Sequence, residues 1–158
     1  NSEPGKGSQF LLYFPIAQKP QAGVRVKKEQ KRIPGGTETI MIVEDEDDIR
    51  SFQQTYLEDY GYSVEIFSNG RSAFDAFKKN PERYDLIITD MAMPKMSGKD
   101  LSIEILEIKK EIPIILCTGF TENFNESDAL AMGISCYLHK PVDLKSLIIT
   151  VRELLDTQ

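Results

Sequence analysis

From residue 39 onward, short apolar runs alternate with polar stretches that carry helical periodicity. Ile40-Met41-Ile42-Val43, Leu86-Ile87-Ile88-Thr89, Ile114-Ile115-Leu116-Cys117 and Cys136-Tyr137-Leu138-His139 are nearly continuous in apolar character, as strands covered on both faces are. With a shorter run at 62–67, they predict strands at about 39–43, 62–67, 84–89, 113–117 and 134–138. Ile49, Phe52, Tyr56 and Leu57 recur at helical spacing over 47–60, and Gly61 offers a C-terminal stop. Ser68-Asn69 supplies an N-cap for a helix over 70–79, which Asn80-Pro81 ends. Leu101, Ile105, Leu106 and Ile108 outline a third helix after a loop marked by Met93-Pro94 and Ser97-Gly98. A long loop and a short helix lead to Gly133. Asp143 caps a last helix reaching about 155, with Leu144, Leu147, Ile148, Val151, Leu154 and Leu155 on its apolar side.

Five strand–helix units in this length imply parallel strands, because crossover helices bring each strand back in the same direction, with right-handed connections. The economical arrangement is a doubly wound α/β sheet of order 2-1-3-4-5. No solenoid repeat is present.

The first 38 residues read differently. Gln9 to Ile16 is strand-like, but a lone strand is not a domain. Residues 17–38, with Lys19-Pro20, Gly23, a basic stretch from Arg25 to Arg32 and Pro34-Gly35-Gly36, have the composition of a linker. The expected organisation is therefore 1–16, a fragment of a preceding domain, 17–38, a linker, and 39–158, the main domain. The first residue is not Met, and a longer parent protein is expected. The strand over 10–16 is expected to seek a sheet edge, its own or that of a second copy, which would give a dimer.

Charge sharpens this division. Residues 1–38 carry seven basic and three acidic side chains; residues 39–158 carry twelve and twenty-two. An acidic main domain argues against a nucleic-acid partner, which needs basic surface. No run approaches the ~20 apolar residues that span a bilayer, and the polar start does not resemble a signal peptide. A cytoplasmic domain without membrane contact of its own is expected. Cys117 and Cys136 lie inside apolar runs and read as buried, reduced thiols.

The strand ends carry the chemistry. Glu44-Asp45, Asp90, Thr118 and Lys140-Pro141 each follow or close an apolar run, so parallel strands align them along one sheet edge, where open α/β sheets bind ligands. Carboxylates ~4 Å apart repel by roughly 4 kcal/mol at an effective dielectric near 20, which a proton or a cation must relieve. An oxygen-only donor set favours Mg²⁺, or Mn²⁺, over zinc. Such an ion seeks phosphate oxygens, and a carboxylate beside it can act as a nucleophile toward phosphorus. Asp90 is the candidate nucleophile. Asp45 would hold the ion directly and Glu44 through water. Lys140 and Thr118 would contact phosphoryl oxygens.

Residues 39–158 resemble a receiver domain of the two-component signalling family. Ile-Val-Glu44-Asp45 resembles the acidic pair, Asp90-Met-Ala-Met-Pro94-Lys-Met-Ser-Gly98 the phosphoacceptor turn, Cys-Thr118-Gly the fourth-strand hydroxyl, and Tyr137-Leu-His-Lys140-Pro141 the lysine motif with its switch aromatic. The resemblance implies a flavodoxin-like fold and Mg²⁺-dependent transfer from a phosphohistidine donor to Asp90. It also implies metal contact by the Ala92 carbonyl, a cis Lys140–Pro141 bond, and a switch in which Thr118 moves and Tyr137 turns inward on phosphorylation. The resemblance further implies that Ala92 and Phe120 occupy positions that tune phosphate lifetime. Ser2-Glu3-Pro4-Gly5-Lys6-Gly7-Ser8-Gln9-Phe10, with Leu-Tyr-Phe-Pro15, resembles the last strand of a histidine-kinase ATP-binding domain. The parent would then be a hybrid histidine kinase with this receiver at its C-terminus, passing phosphate onward to a phosphotransfer protein. The stretch present lacks the kinase core, so its own activity would be limited to phosphorylating and dephosphorylating Asp90. No DNA-binding output domain is expected, and any effect on transcription is expected to be indirect.

Each feature also has a plainer meaning. Asp47 and Asp48 fit a helix N-terminus, Asp90 alone would suit a turn, and Tyr137 alone would be packing. His139 reads as surface filler, and Met91, Met93 and Met96 as loop packing. The rival function is a docking module that no longer takes phosphate, a role with no use for the acidic pair, Thr118 and Lys140.

Overall fold

The computed structural model describes residues 2, 3, 5, 7, 8, 10–13, 34–119 and 124–157. The chain divides into two compact units, Asn1–Lys31 and Arg32–Gln158. In the first, Ser2–Glu3 pairs antiparallel with Gly7–Ser8. Between and beside them, Gly5 and Gly7 take the left-handed backbone at φ 79° and 95°. The strand expected over 10–16 is not formed at 10–13. Phe10, Leu11, Leu12 and Tyr13 are exposed. Their strong strand propensity describes how side chains suit a half-buried pleat, and without a neighbouring edge it builds no ladder. Residues 14–16, most of the expected linker and Phe120 lie outside the described residues.

The second unit holds the alternation foreseen. Its elements are β1 (Thr39–Val43), α1 (Asp47–Asp59), β2 (Ser63–Phe67), α2 (Gly70–Lys79), β3 (Leu86–Asp90), α3 (Gly98–Ile108), β4 (Ile114–Thr118), α4 (Glu126–Ala131), β5 (Cys136–His139) and α5 (Leu144–Leu155), with a 3₁₀ turn at Pro81–Arg83. All strand pairs are parallel, in the order β2-β1-β3-β4-β5.

Strand alternation divides the core between the two faces. Ile40, Ile42, Leu86 and Ile88 pack with Leu57 of α1 and Leu147, Ile148 and Val151 of α5. Met41, Val43 and Ile87 face the other way, onto Ala73, Phe74 and Phe77 of α2 and Leu101 and Ile105 of α3. A smaller cluster joins Leu116, Phe124, Ala129, Ile134 and Tyr137.

Local signals set the helix ends. Asn69, Ser97, Asn125 and Asp143 each accept a backbone N–H in the first turn of the helix they open. After α1, Gly61 adopts φ 96°; its N–H bonds Glu58 O and that of Tyr62 bonds Leu57 O, the paired closure that satisfies two carbonyls of the last turn. Burial pushes the Cys117 thiol up to about 12, which keeps it an inert part of the core at neutral pH.

Residues 34–38, expected as linker, are instead packed onto the domain. Gly36 N–H donates to Tyr60 O at 3.1 Å. Glu38 pairs with Arg152 of α5 at 2.9 Å, and Arg152 also holds Asp156 at 2.9 Å. A side chain at Gly35 would overlap the Tyr60 carbonyl, so a run that reads as flexible Gly-Gly is a close-approach strap. Burial raises the Glu38 carboxyl, but hydrogen bonds from backbone N–H groups and Arg152 outweigh it and leave the pKa below its ordinary 4.5. A lowered carboxylate contributes stability above its unfolded pKa and loses it as pH falls through the folded value. Glu38→Gln should therefore cost about 0.5–1 kcal/mol at neutral pH. Urea unfolding of both proteins should show that gap closing below pH 4.5.

Candidate functional site

Register brings the polar strand ends together. Val43 pairs with Thr89 across β1 and β3, so the next residues, Glu44 and Asp90, come level. Asp90 pairs with Cys117, and Thr118 with His139, which sets Thr118 and Lys140 along the same edge. The crevice between β1 and β3 is where the strand order reverses, the usual ligand position in such sheets.

Glu44 and Asp90 are almost fully buried, at 2% and 6% exposure, while Asp45 is exposed. Each offers a carboxylate oxygen, and the three oxygens lie within 4.8 Å of one another. Lys140 Nζ reaches into this group, 2.8 Å from Glu44 Oε2 and 3.0 Å from Asp90 Oδ1. The contact to Glu44 is a hydrogen bond. The contact to Asp90 is an ion pair without hydrogen-bond alignment, and Asp90 Oδ1 is left without a hydrogen-bond partner among the described residues.

Burial raises the Glu44 carboxyl above its ordinary value; the hydrogen bond from Lys140 opposes this and the charge of Asp90 adds to it. For Lys140, burial pulls down, but the hydrogen bond to Glu44 and the ion pair with Asp90 outweigh it and the net shift is upward. The ammonium is therefore held charged among carboxylates that outnumber it. Three clustered carboxylates against one ammonium leave an excess of negative oxygen, which fits a hard divalent cation.

The backbone around Asp90 is tightly held. Met91 N–H donates to Cys117 O at 2.7 Å, and Gly98 N–H to Met91 O at 3.0 Å. Lys95 takes φ 71° while Met96 N–H bonds Pro94 O at 2.9 Å, a tight γ-turn in the left-handed region. Ala92 sits exposed in this turn. The Lys140–Pro141 bond is cis, and Lys140 N–H donates to Thr118 O at 2.7 Å.

The two expected switch residues each have a hydrogen-bond partner away from Asp90. The Thr118 hydroxyl is buried but donates to the Gly119 carbonyl at 2.8 Å rather than toward Asp90. Tyr137 is already inward at 8% exposure, its hydroxyl donating to Phe124 O at 3.1 Å. There the ring gains an apolar cluster and the hydroxyl a satisfied hydrogen bond.

Arg50 was not foreseen. Its guanidinium, on the first turn of α1, donates to the Glu44 carbonyl at 2.6 Å and to the Asp45 carbonyl at 3.4 Å, and pairs with Asp47. It fixes the backbone that aims both acids. Its only signal in the sequence is a basic residue three after Asp47, a spacing common to any exposed helix.

A family model described as response regulator receiver domain matches residues 40–152. The chain belongs to that family. A response regulator receiver protein, CpdR of Brucella abortus, is 34% identical over 116 residues, covering 73% of this chain and 95% of CpdR. Sensor kinase CckA of the same organism is 30% identical over 165 residues, covering the whole of this chain but 18% of CckA. Among solved structures, a receiver domain protein from Clostridium thermocellum superimposes with a TM-score of 0.72 at 32% identity, covering 76% of this chain and 95% of that one. The receiver domain of a signal transduction histidine kinase from Syntrophus aciditrophicus gives 0.69, also at 32%, covering 77% and 92%. The receiver fold is thus the doubly wound, flavodoxin-like one expected.

A receiver carries a glycine at 98 here for a steric reason: a Cβ would overlap the Asp90 carbonyl oxygen and crowd Thr89 Oγ1. Gly98→Ala is expected to cost about 1–3 kcal/mol in urea unfolding, and to broaden or shift the amide resonances of Met91 and Gly98 in particular.

Proposed function

We propose that Asp90 accepts a phosphoryl group from a phosphohistidine donor and that the domain works as a His-to-Asp switch. The observation that carries this is the buried Asp90 carboxylate, 3.0 Å from the Lys140 ammonium and grouped with Glu44 and Asp45. An Asp90 oxygen attacks phosphorus in line, the phosphorus–nitrogen bond breaks, and the donor histidine leaves as imidazole. Lys140 neutralises a phosphoryl oxygen, and Thr118 turns its hydroxyl from Gly119 to another. Asp45, Asp90 and the Ala92 carbonyl would be the direct metal donors, since Glu44 spends its oxygens on Lys140 Nζ and Glu46 N–H. When bound, Mg²⁺ or Mn²⁺ would draw off charge at the transferring group. Glu44 keeps Lys140 aimed.

The donor reaches Asp90 over a groove of about 670 Å³ beside Lys140, lined by Ile49, Phe52, Pro141, Val142 and Leu144. Phe52 is 65% exposed there, an apolar anchor of the sort that dominates transient interfaces. The match to CckA across the full chain supports a parent of hybrid histidine kinase type, with residues 1–16 from its ATP-binding domain, the receiver after the linker and a phosphotransfer protein as next acceptor. Among the described residues no helix is long and apolar enough to cross a membrane, in keeping with a cytoplasmic site of action. The docking-only reading is not favoured, since pure docking would not require a buried carboxylate cluster that costs stability.

Incubation with a small-molecule phosphoryl donor and Mg²⁺ should add one phosphoryl group by intact mass, and none with chelator or in Asp90→Asn. Equal labelling of the Asn variant would defeat the assignment. Separately, Phe52→Asp should slow transfer from a phosphohistidine protein about tenfold while leaving labelling by the small-molecule donor unchanged, as read by stopped time courses.

A further inference from the structure

Phe124 sits one residue before the Asn125 cap of α4, buried in the same cluster as Tyr137. Tyr137 meets it twice. The Tyr137 hydroxyl donates to its carbonyl at 3.1 Å, and the two rings lie 6.1 Å apart at 46°. A third group reaches it from another element. Lys99 Nζ stands 5.1 Å from the Phe124 ring centroid, within range of a cation–π contact.

Lys99 is the second residue of α3. A cation in the first turn of a helix faces the positive end of the helix dipole, so this place does not favour lysine on helical grounds. An aromatic face does. The residue also sits next to Gly98, whose N–H is bonded to Met91 O in the turn after Asp90. Lys99 thus connects the start of α3, which is tied to the Asp90 turn, with the carbonyl that holds Tyr137.

We propose that Lys99 is a positioning residue for the switch: its ammonium over Phe124 holds the Phe124 carbonyl where Tyr137 bonds it, and so biases Tyr137 toward its buried rotamer. The inference rests on the reading of Tyr137 as the mobile aromatic. It supplies a route from the Asp90 turn to Tyr137 that runs through α3 and does not require Thr118.

The test uses the unphosphorylated chain with ¹³C-labelled tyrosine, so it does not depend on whether Asp90 accepts phosphate. Tyr137 resonances are assigned with Tyr137→Phe, and the inward-to-outward ratio is read by NMR. Lys99→Gln should lower that ratio about fivefold, the size of an ordinary cation–π bias, while Lys99→Arg, which keeps the cation, should hold it near the wild-type value. Phe124→Leu should lower it in the same direction, and Lys99→Gln should add nothing further in that background. An unchanged ratio in Lys99→Gln overturns the proposal, as does a fall in Lys99→Arg as large as in Lys99→Gln, which would mean that packing, not charge, is at work. If Phe124→Leu does not fold, the Gln and Arg pair alone decides. A chain that fails to label at Asp90 yet shows the Lys99 effect would refute the phosphoacceptor reading and leave this one standing.

Discussion

One ammonium among three carboxylates governs this structure. Lys140 lies 2.8 Å from Glu44 and 3.0 Å from Asp90, and Asp45 adds its charge at the surface. A single cation cannot neutralise the set, and burial of Glu44 and Asp90 denies them the relief of water. The domain tolerates this because parallel strands oblige their C-terminal residues to converge, and because ~25 cal/mol per Å² of buried apolar area on both faces of the sheet holds the strands in register. The strain is therefore local, and it is relieved by what the site would take up: a divalent ion, then a phosphoryl group whose oxygens give Lys140 and Thr118 new partners.

Much of this was legible in residue patterning. Continuous apolar runs gave parallel, doubly covered strands, and single cap residues such as Asn69 and Asp143 marked helix starts to within a residue. Glu44, Asp45, Asp90 and Lys140 were legible as a group because each follows or closes a strand, and strand ends in a parallel sheet share an edge. What was not legible depended on side-chain rotamers and on backbone contact. The hydroxyl of Thr118 can bond the Gly119 carbonyl or a ligand, and residue type does not choose between them. Tyr137 is compatible with either rotamer until its cluster is known. Arg50 acts on backbone carbonyls, which no residue pattern marks.

Residues 34–38 show the opposite error. Pro34-Gly35-Gly36 has the composition of a flexible joint, yet Gly35 and Gly36 are small because the Tyr60 carbonyl and the Tyr62 ring come so close. Composition alone cannot separate glycine that confers freedom from glycine that permits contact. The strand propensity of 10–13 misled in the same manner, since a ladder is a property of pairs.

Glu38 precedes the first strand, Asp156 follows the last helix, and Arg152 grips both. The parallel sheet puts that clasp at its N-terminal margin, on the far side from Asp90. The two ends of the fold are thus buckled together well away from the reactive acids. Entry into the first strand and exit from the last helix therefore share a single anchor, Arg152, at the pole opposite the reactive acids.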